Sequence, residues 1–156
     1  MFRHFGLLQE QFLPDGWKVL VTCIFLNCTT RTQVEKVIDE FFDRWPDPEA
    51  LLSTDVDEVK GIISSLGFKN RRYNNLINMS DGYLSVHFRD PRELHGIGEY
   101  AARCHEMLVE NKLGEKAPKD HALFNYFHWR TEGRGDPTRS AEFDGRACPC
   151  KTCEEA

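Results

Sequence analysis

Apolar residues recur at helical spacing along most of the chain. Trp17, Leu20, Val21, Ile24 and Phe25 fall at i, i+3, i+4, i+7 and i+8 behind the breaker Pro14-Asp15-Gly16, which predicts an amphipathic helix starting there. Val34, Val37, Ile38, Phe41 and Phe42 repeat the pattern, with Thr29 or Thr30 as N-cap. Pro46-Asp47-Pro48 stops that helix and opens a short one. Val56, Val59, Ile62, Ile63 and Leu66 mark another, closed by Gly67 at C′. Asn70 is placed to cap the next, with Tyr73, Leu76, Ile77, Met79 and Leu84 on its buried side. Asp90-Pro91 starts a short helical turn ending near Leu94. His95-Gly96-Ile97-Gly98 is a tight turn, and Glu99 to about Asn111 is helical again. Asp120 begins a final helix with Leu123, Phe124 and Phe127 inward. No segment alternates as a strand would, so the expected fold is all-α.

The pattern stops at Gly133. Residues 133–147 contain one aromatic, Phe143, and little else to bury, so residues 1–132 are expected to fold and 133–156 to form a flexible polar tail. A chain of 156 residues suits one domain, which buries roughly 68–70% of its unfolded surface without needing a disulfide. No run approaches the roughly 18 apolar residues of a membrane span, and Met1-Phe2-Arg3-His4-Phe5-Gly6 is too polar for a secretory core. The expectation is a soluble intracellular protein without a membrane partner.

Net charge is −5, which by itself argues against nucleic acid. Its distribution changes that. Residues 32–60 hold nine acids and three bases, a local −6, so the remainder sums to +1; residues 61–80 carry Lys69, Arg71 and Arg72 and no acid. One face can therefore be positive. Of the six cysteines, Cys23, Cys28 and Cys104 lie in apolar, helix-like surroundings and read as small buried hydrophobes. Cys148, Cys150 and Cys153 form C-P-C-K-T-C in the tail, a cluster that could hold zinc or an iron–sulfur centre but supplies three ligands where four are usual.

Two segments carry chemistry. A G-x-G turn between helices, at Gly96-Ile97-Gly98, leaves backbone N–H groups at a helix N-terminus, where the dipole favours a phosphate oxygen. Asp120 in Pro118-Lys119-Asp120-His121 reads on its own first as a helix cap, and second as a carboxylate that activates water or stabilises an oxocarbenium-like sugar.

The hairpin at 94–98, followed by Asp120, resembles the helix-hairpin-helix DNA glycosylase superfamily. Leu8-Gln9-Glu10, Trp17-Lys18-Val19-Leu20, Ile24-Phe25-Leu26-Asn27, Leu66-Gly67, Glu93-Leu94-His95-Gly96-Ile97-Gly98-Glu99-Tyr100 and Asp120-His121 narrow the likeness. They are most similar to the glycosylase domain of methyl-CpG-binding-domain mismatch glycosylases, over about Phe5 to Glu132. The resemblance implies that residues 1–132 form a glycosylase domain, that Asp120 is the catalytic aspartate, and that Tyr100 and Gln9 flank the base pocket. It also implies that Gly96, Ile97 and Gly98 hold the DNA strand, that Phe68 enters the base stack, and that Lys69, Arg71 and Arg72 meet phosphates. Bifunctional relatives resembling endonuclease III carry a lysine near position 100. Tyr100 in that place implies a monofunctional hydrolase with water as nucleophile.

Cys28 stands where that branch carries an arginine entering the duplex, Ala122 where it carries a lysine, and the cysteine tail has no counterpart there. The expectation is a monomeric enzyme of base excision repair acting at double-stranded DNA. It would release thymine or uracil opposite guanine and need no cofactor for catalysis. Action on another modified base, or DNA binding without turnover, stays open at this point.

Overall fold

The computed structural model describes residues 6–85 and 88–132. Seven α-helices and three short 3-10 turns account for the secondary structure there, with no strand among the described residues. The turn Leu8–Phe12 leads into α1 (Gly16–Leu26), capped by Asp15, whose side chain accepts from the Lys18 N–H at 3.1 Å. Thr30 and Gln33 form a capping box for α2 (Arg31–Arg44), Asp47 caps α3 (Pro48–Leu52), and Asp55 caps α4 (Val56–Ile63). A 3-10 turn, Ser64–Leu66, passes through Gly67 and Phe68 into α5 (Lys69–Ser85). The turn Pro91–Glu93, capped by Asp90, precedes α6 (Glu99–Leu108), and α7 (His121–Glu132) follows Asp120.

The apolar stripes meet in one core. Buried α1 packs on α6, α5, α2 and the first 3-10 turn. Phe12, Trp17, Phe25, Phe41, Phe42 and Trp45 contact edge to face, with centroids 4.8–5.9 Å apart. Trp17 Nε1 donates to Ser80 Oγ at 2.9 Å, fixing α1 against α5.

Four local expectations need correction. Asn70 does not cap α5, which begins one residue earlier at Lys69. Leu84 is 44% exposed because it sits in the last turn of α5, past the residues that pack on α3 and α4. Helix α6 ends at Leu108 rather than Asn111, which lies in the left-handed region at φ 56°. Phe124 is 42% exposed: the buried stripe of α7 is Leu123, Tyr126 and Phe127, and Phe124 lies one position off it.

Candidate active site

The first 3-10 turn places two polar side chains inside the molecule. The Glu10 carboxylate accepts the backbone N–H groups of Gly6 (2.9 Å) and Leu7 (2.8 Å) and so fastens the turn. Gln9, beside it, is only 2% exposed. Its Nε2 donates to the Tyr100 hydroxyl at 2.7 Å and lies 3.6 Å from Cys23 Sγ. Residues 91 positions apart thus meet, because α1 and α6 pack directly and the turn crosses beside them.

Tyr100 sits half-buried in the first turn of α6. Burial pushes its hydroxyl pKa well above 10.0; Cys23, Cys104 and the Asp120 carboxylate push the same way, and the Gln9 hydrogen bond opposes them. Burial likewise raises the fully buried Cys104 thiol well above 9.0, aided by its hydrogen bond with Cys23 and by Asp120. Cys23 and Cys104 are buried as expected and back the Gln9–Tyr100 pair, whereas Cys28, expected inside with them, is only partly buried because it lies in the turn beyond the end of α1.

Two carboxylates act on this cluster, Glu10 on Cys104 and Asp120 on both Cys104 and Tyr100. Asp120 Oδ2 accepts the Leu123 N–H at 3.0 Å and the Asp120 carbonyl accepts the Phe124 N–H at 2.7 Å, so this residue is the N-cap of α7. The loop before it is strapped by Arg103, whose Nη2 donates to the carbonyls of Leu113 (2.8 Å) and Lys116 (3.0 Å). An amide and a neutral phenol meet here, within electrostatic reach of the Asp120 carboxylate. Such a set can hydrogen-bond a planar heterocycle and stabilise positive charge beside it.

The hairpin lies at the other end of Tyr100's helix turn. Gly96 has φ 77°, which favours glycine, and a Cβ there would press on the Asn75 side chain at 3.1 Å. Ile97 is buried, so the glycine backbone and the exposed His95 are the parts of the hairpin that can meet a ligand. Gly98 starts α6 without a side-chain hydrogen bond to its first turn. The neighbouring Glu99 carboxylate is engaged by Arg92, through Nε at 2.8 Å and Nη2 at 3.0 Å, which holds its pKa below the usual range.

Phe68 projects at 55% exposure from the loop before α5, flanked by exposed Lys69 and Arg71, neither in an ion pair among the described residues. Arg72 corrects the expectation of a phosphate contact. It is 4% exposed and turned inward, donating to backbone carbonyls. Its burial was detectable from spacing, since positions 72, 76, 79 and 80 share one helical face. Glu10 lies on no apolar stripe that would mark it as buried, although the N–H groups it accepts are only three and four residues before it.

Among the described residues no group of three or more His, Cys, Asp or Glu side chains could hold a metal ion. Cys148, Cys150 and Cys153 lie outside the described residues, as does the expected tail at 133–156. Among the described residues no helix is long and apolar enough to cross a membrane.

Comparison with known proteins supplies the context. Residues 21–144 match the family described as "HhH-GPD superfamily base excision DNA repair protein". A "Methyl-CpG-binding domain protein 4-like protein" of Arabidopsis thaliana is 32% identical over 122 residues, covering 78% of this chain and 27% of that protein. A "Thymine-DNA glycosylase" of Aeropyrum pernix is 30% identical over 156 residues, covering 83% of this chain and 70% of that one. The solved structure of a thermostable thymine-DNA glycosylase superposes with a TM-score of 0.63 at 25% identity, over 86% of this chain and 62% of the other. A trapped endonuclease III–DNA covalent intermediate, at 16% identity and a TM-score of 0.59, shares the fold over 90% of this chain and 74% of its own.

Proposed function

The chain belongs to the HhH-GPD superfamily of base excision DNA repair proteins, and from that membership we propose that it is a monofunctional DNA glycosylase releasing thymine or uracil opposite guanine. The observation that carries the reading is the convergence of Gln9, Tyr100 and Asp120 from three separate elements, the first two joined at 2.7 Å and the third acting electrostatically on the second. The names of the relatives, thymine-DNA and thymine/uracil-DNA glycosylases, support the choice of base.

In this reading the monomer binds double-stranded DNA with the hairpin backbone at Gly96–Gly98 against one strand, and Phe68 fills the space left by the extruded nucleotide. Tyr100 stays protonated at neutral pH. Its oxygen accepts from Gln9, so its own proton is available to a carbonyl oxygen of the base, and the chained hydrogen bonds strengthen each other. The bond between C1′ and the base nitrogen breaks with its electron pair leaving on the base. The ionised Asp120 stabilises the positive charge growing on the sugar and orients the water whose oxygen bonds to C1′. The water's proton is lost, the base takes one up, and an abasic site remains. Tyr100 offers no amine to the sugar, so no Schiff base forms there and the strand stays intact.

Single-turnover base release from duplexes carrying G:T, G:U and matched pairs tests this. Release from the mispairs alone, leaving alkali-labile sites in unbroken strands, is the expected result. Tight binding with no release from any duplex would overturn the enzyme reading, and strand cleavage without alkali would overturn its monofunctional part.

A further inference from the structure

Arg72 joins two loops through one buried guanidinium. Nη1 donates to the carbonyls of Ile24 (2.8 Å) and Phe25 (3.1 Å), and Nη2 to those of Asn27 (2.8 Å) and Leu66 (3.3 Å). Nε donates to the carbonyl of Gly67 at 2.8 Å. Three acceptors belong to the end of α1, where helix carbonyls lack intrahelical partners. The other two immediately precede Phe68. Each segment then runs into a non-glycine residue in the left-handed region: Cys28 at φ 59° and Phe68 at φ 50°. L-residues hold that conformation only where their surroundings over-determine it. A planar fork of five donors meets this demand on two segments at once, which the three donors of a lysine at the end of a flexible stem do not.

We infer that Arg72 is a positioning residue that fixes the Asn27–Cys28 loop and the Gly67–Phe68 loop at one separation and so presets Phe68 for insertion into the DNA stack. The inference rests on the glycosylase reading for the identity of the ligand, while the clamp itself is a property of the fold. Arg72 touches neither the base nor the sugar in this account. It acts through Phe68, and removing it should add nothing once Phe68 is gone.

The test is a double-mutant cycle on Arg72→Lys and Phe68→Ala. Its first readout is the fluorescence rise of 2-aminopurine placed beside the target in a G:T duplex, which reports base extrusion; its second is single-turnover base release. Each single variant is expected to slow both by about tenfold, with duplex affinity within about threefold of wild type. The double variant should match Phe68→Ala alone, because residues acting through one another are non-additive. A double variant slowed by the product of the single effects, or an Arg72→Lys variant with an unchanged fluorescence rise, would overturn the inference. Should Arg72→Lys fail to fold, Gly67→Ala disturbs the same loop from outside. A Cβ there meets nothing within 4 Å, but φ is 79°, and the same non-additivity with Phe68→Ala is required. If wild type releases no base, the glycosylase reading fails while the fluorescence cycle still decides the role of Arg72. Wild type giving no fluorescence rise overturns the inference as well.

Discussion

Helices α6 and α7 begin in opposite ways. Helix α7 carries its own anion, Asp120, whose carboxylate accepts the Leu123 N–H. Helix α6 follows Gly98 with no side-chain cap on its first N–H groups, and its own first-turn carboxylate, Glu99, is engaged by Arg92, although α1, α2, α3 and α4 are all capped by Asp or Thr side chains. The bare start leaves N–H groups and a positive dipole end for an outside oxygen, whereas the capped start brings a negative charge toward Tyr100. One end is suited to receive a phosphate and the other to face a developing cation. Under the proposed function, the pair would let a chain of net charge −5 engage a polyanion with little recourse to lysines.

The sharpest way to break this contrast is Asp120→Asn. Asparagine caps a helix about as well as aspartate, so unfolding stability should change by less than ~0.5 kcal/mol. The charge is lost, however, and single-turnover base release should fall by about 10²–10³-fold with duplex affinity retained. An Asn variant that keeps the wild-type rate would reduce Asp120 to a cap, and α7 would then differ from α1 or α4 in nothing that matters for catalysis.

The two hairpin glycines separate fold from contact. Gly96→Ala places a side chain at φ 77° and against Asn75, and should destabilise the protein by about 1–2 kcal/mol as read by urea unfolding. Gly98 has φ −92° with nothing within 4 Å of an added Cβ, so Gly98→Ala should leave unfolding nearly unchanged. Its methyl group would instead stand where a phosphate approaches the α6 start, lowering duplex affinity by about tenfold, or ~1.4 kcal/mol. Unchanged affinity for Gly98→Ala would mean that the bare helix start is not where the strand binds.

The same contrast marks what the sequence makes legible. Caps, breakers and apolar stripes are local, so the helix starts at Asp15, Thr30, Asp47, Asp55 and Asp120 and the turn at Gly96 can be read from short windows. The resemblance to known glycosylases named Gln9, Tyr100 and Asp120, but the hydrogen bond between Gln9 and Tyr100 spans 91 positions and depends on how α1 packs on α6. No window contains it. Arg72 shows a different failure. Among Lys69, Arg71 and Arg72 a charge count treats all three alike, and only the register of α5 with Leu76 and Met79 separates the buried one. Phe124 and Leu84 were expected inside because they are apolar, yet an element's exposed face or end overrides residue type.

The smallest effect concerns what surrounds Asp120. Cys104 and Tyr100 have native pKa values above their ordinary 9.0 and 10.0, chiefly through burial, with Asp120 adding to both. For such groups the native state keeps protons that the unfolded chain releases, so their contribution to stability is complete below the unfolded pKa and declines as pH rises past it. Unfolding stability should therefore fall from about pH 9 upward, approaching ~1.4 kcal/mol per pH unit for each group once the unfolded chain has titrated. Cysteine comes first. Cys104→Ala, a small apolar exchange, should flatten the part of the decline between about pH 8.5 and 10 while leaving the later, tyrosine part in place. Asp120→Asn should leave these slopes unchanged and make each part level off at a slightly lower pH, because it removes a charge that holds the two protons in place. Urea midpoints measured across this range for the three proteins decide the matter. If the Cys104→Ala curve runs parallel to wild type, the thiol is not the proton source. If Asp120→Asn levels off at the same pH as wild type, the carboxylate does not reach the cluster, and the contrast between the α6 and α7 starts loses its electrostatic half.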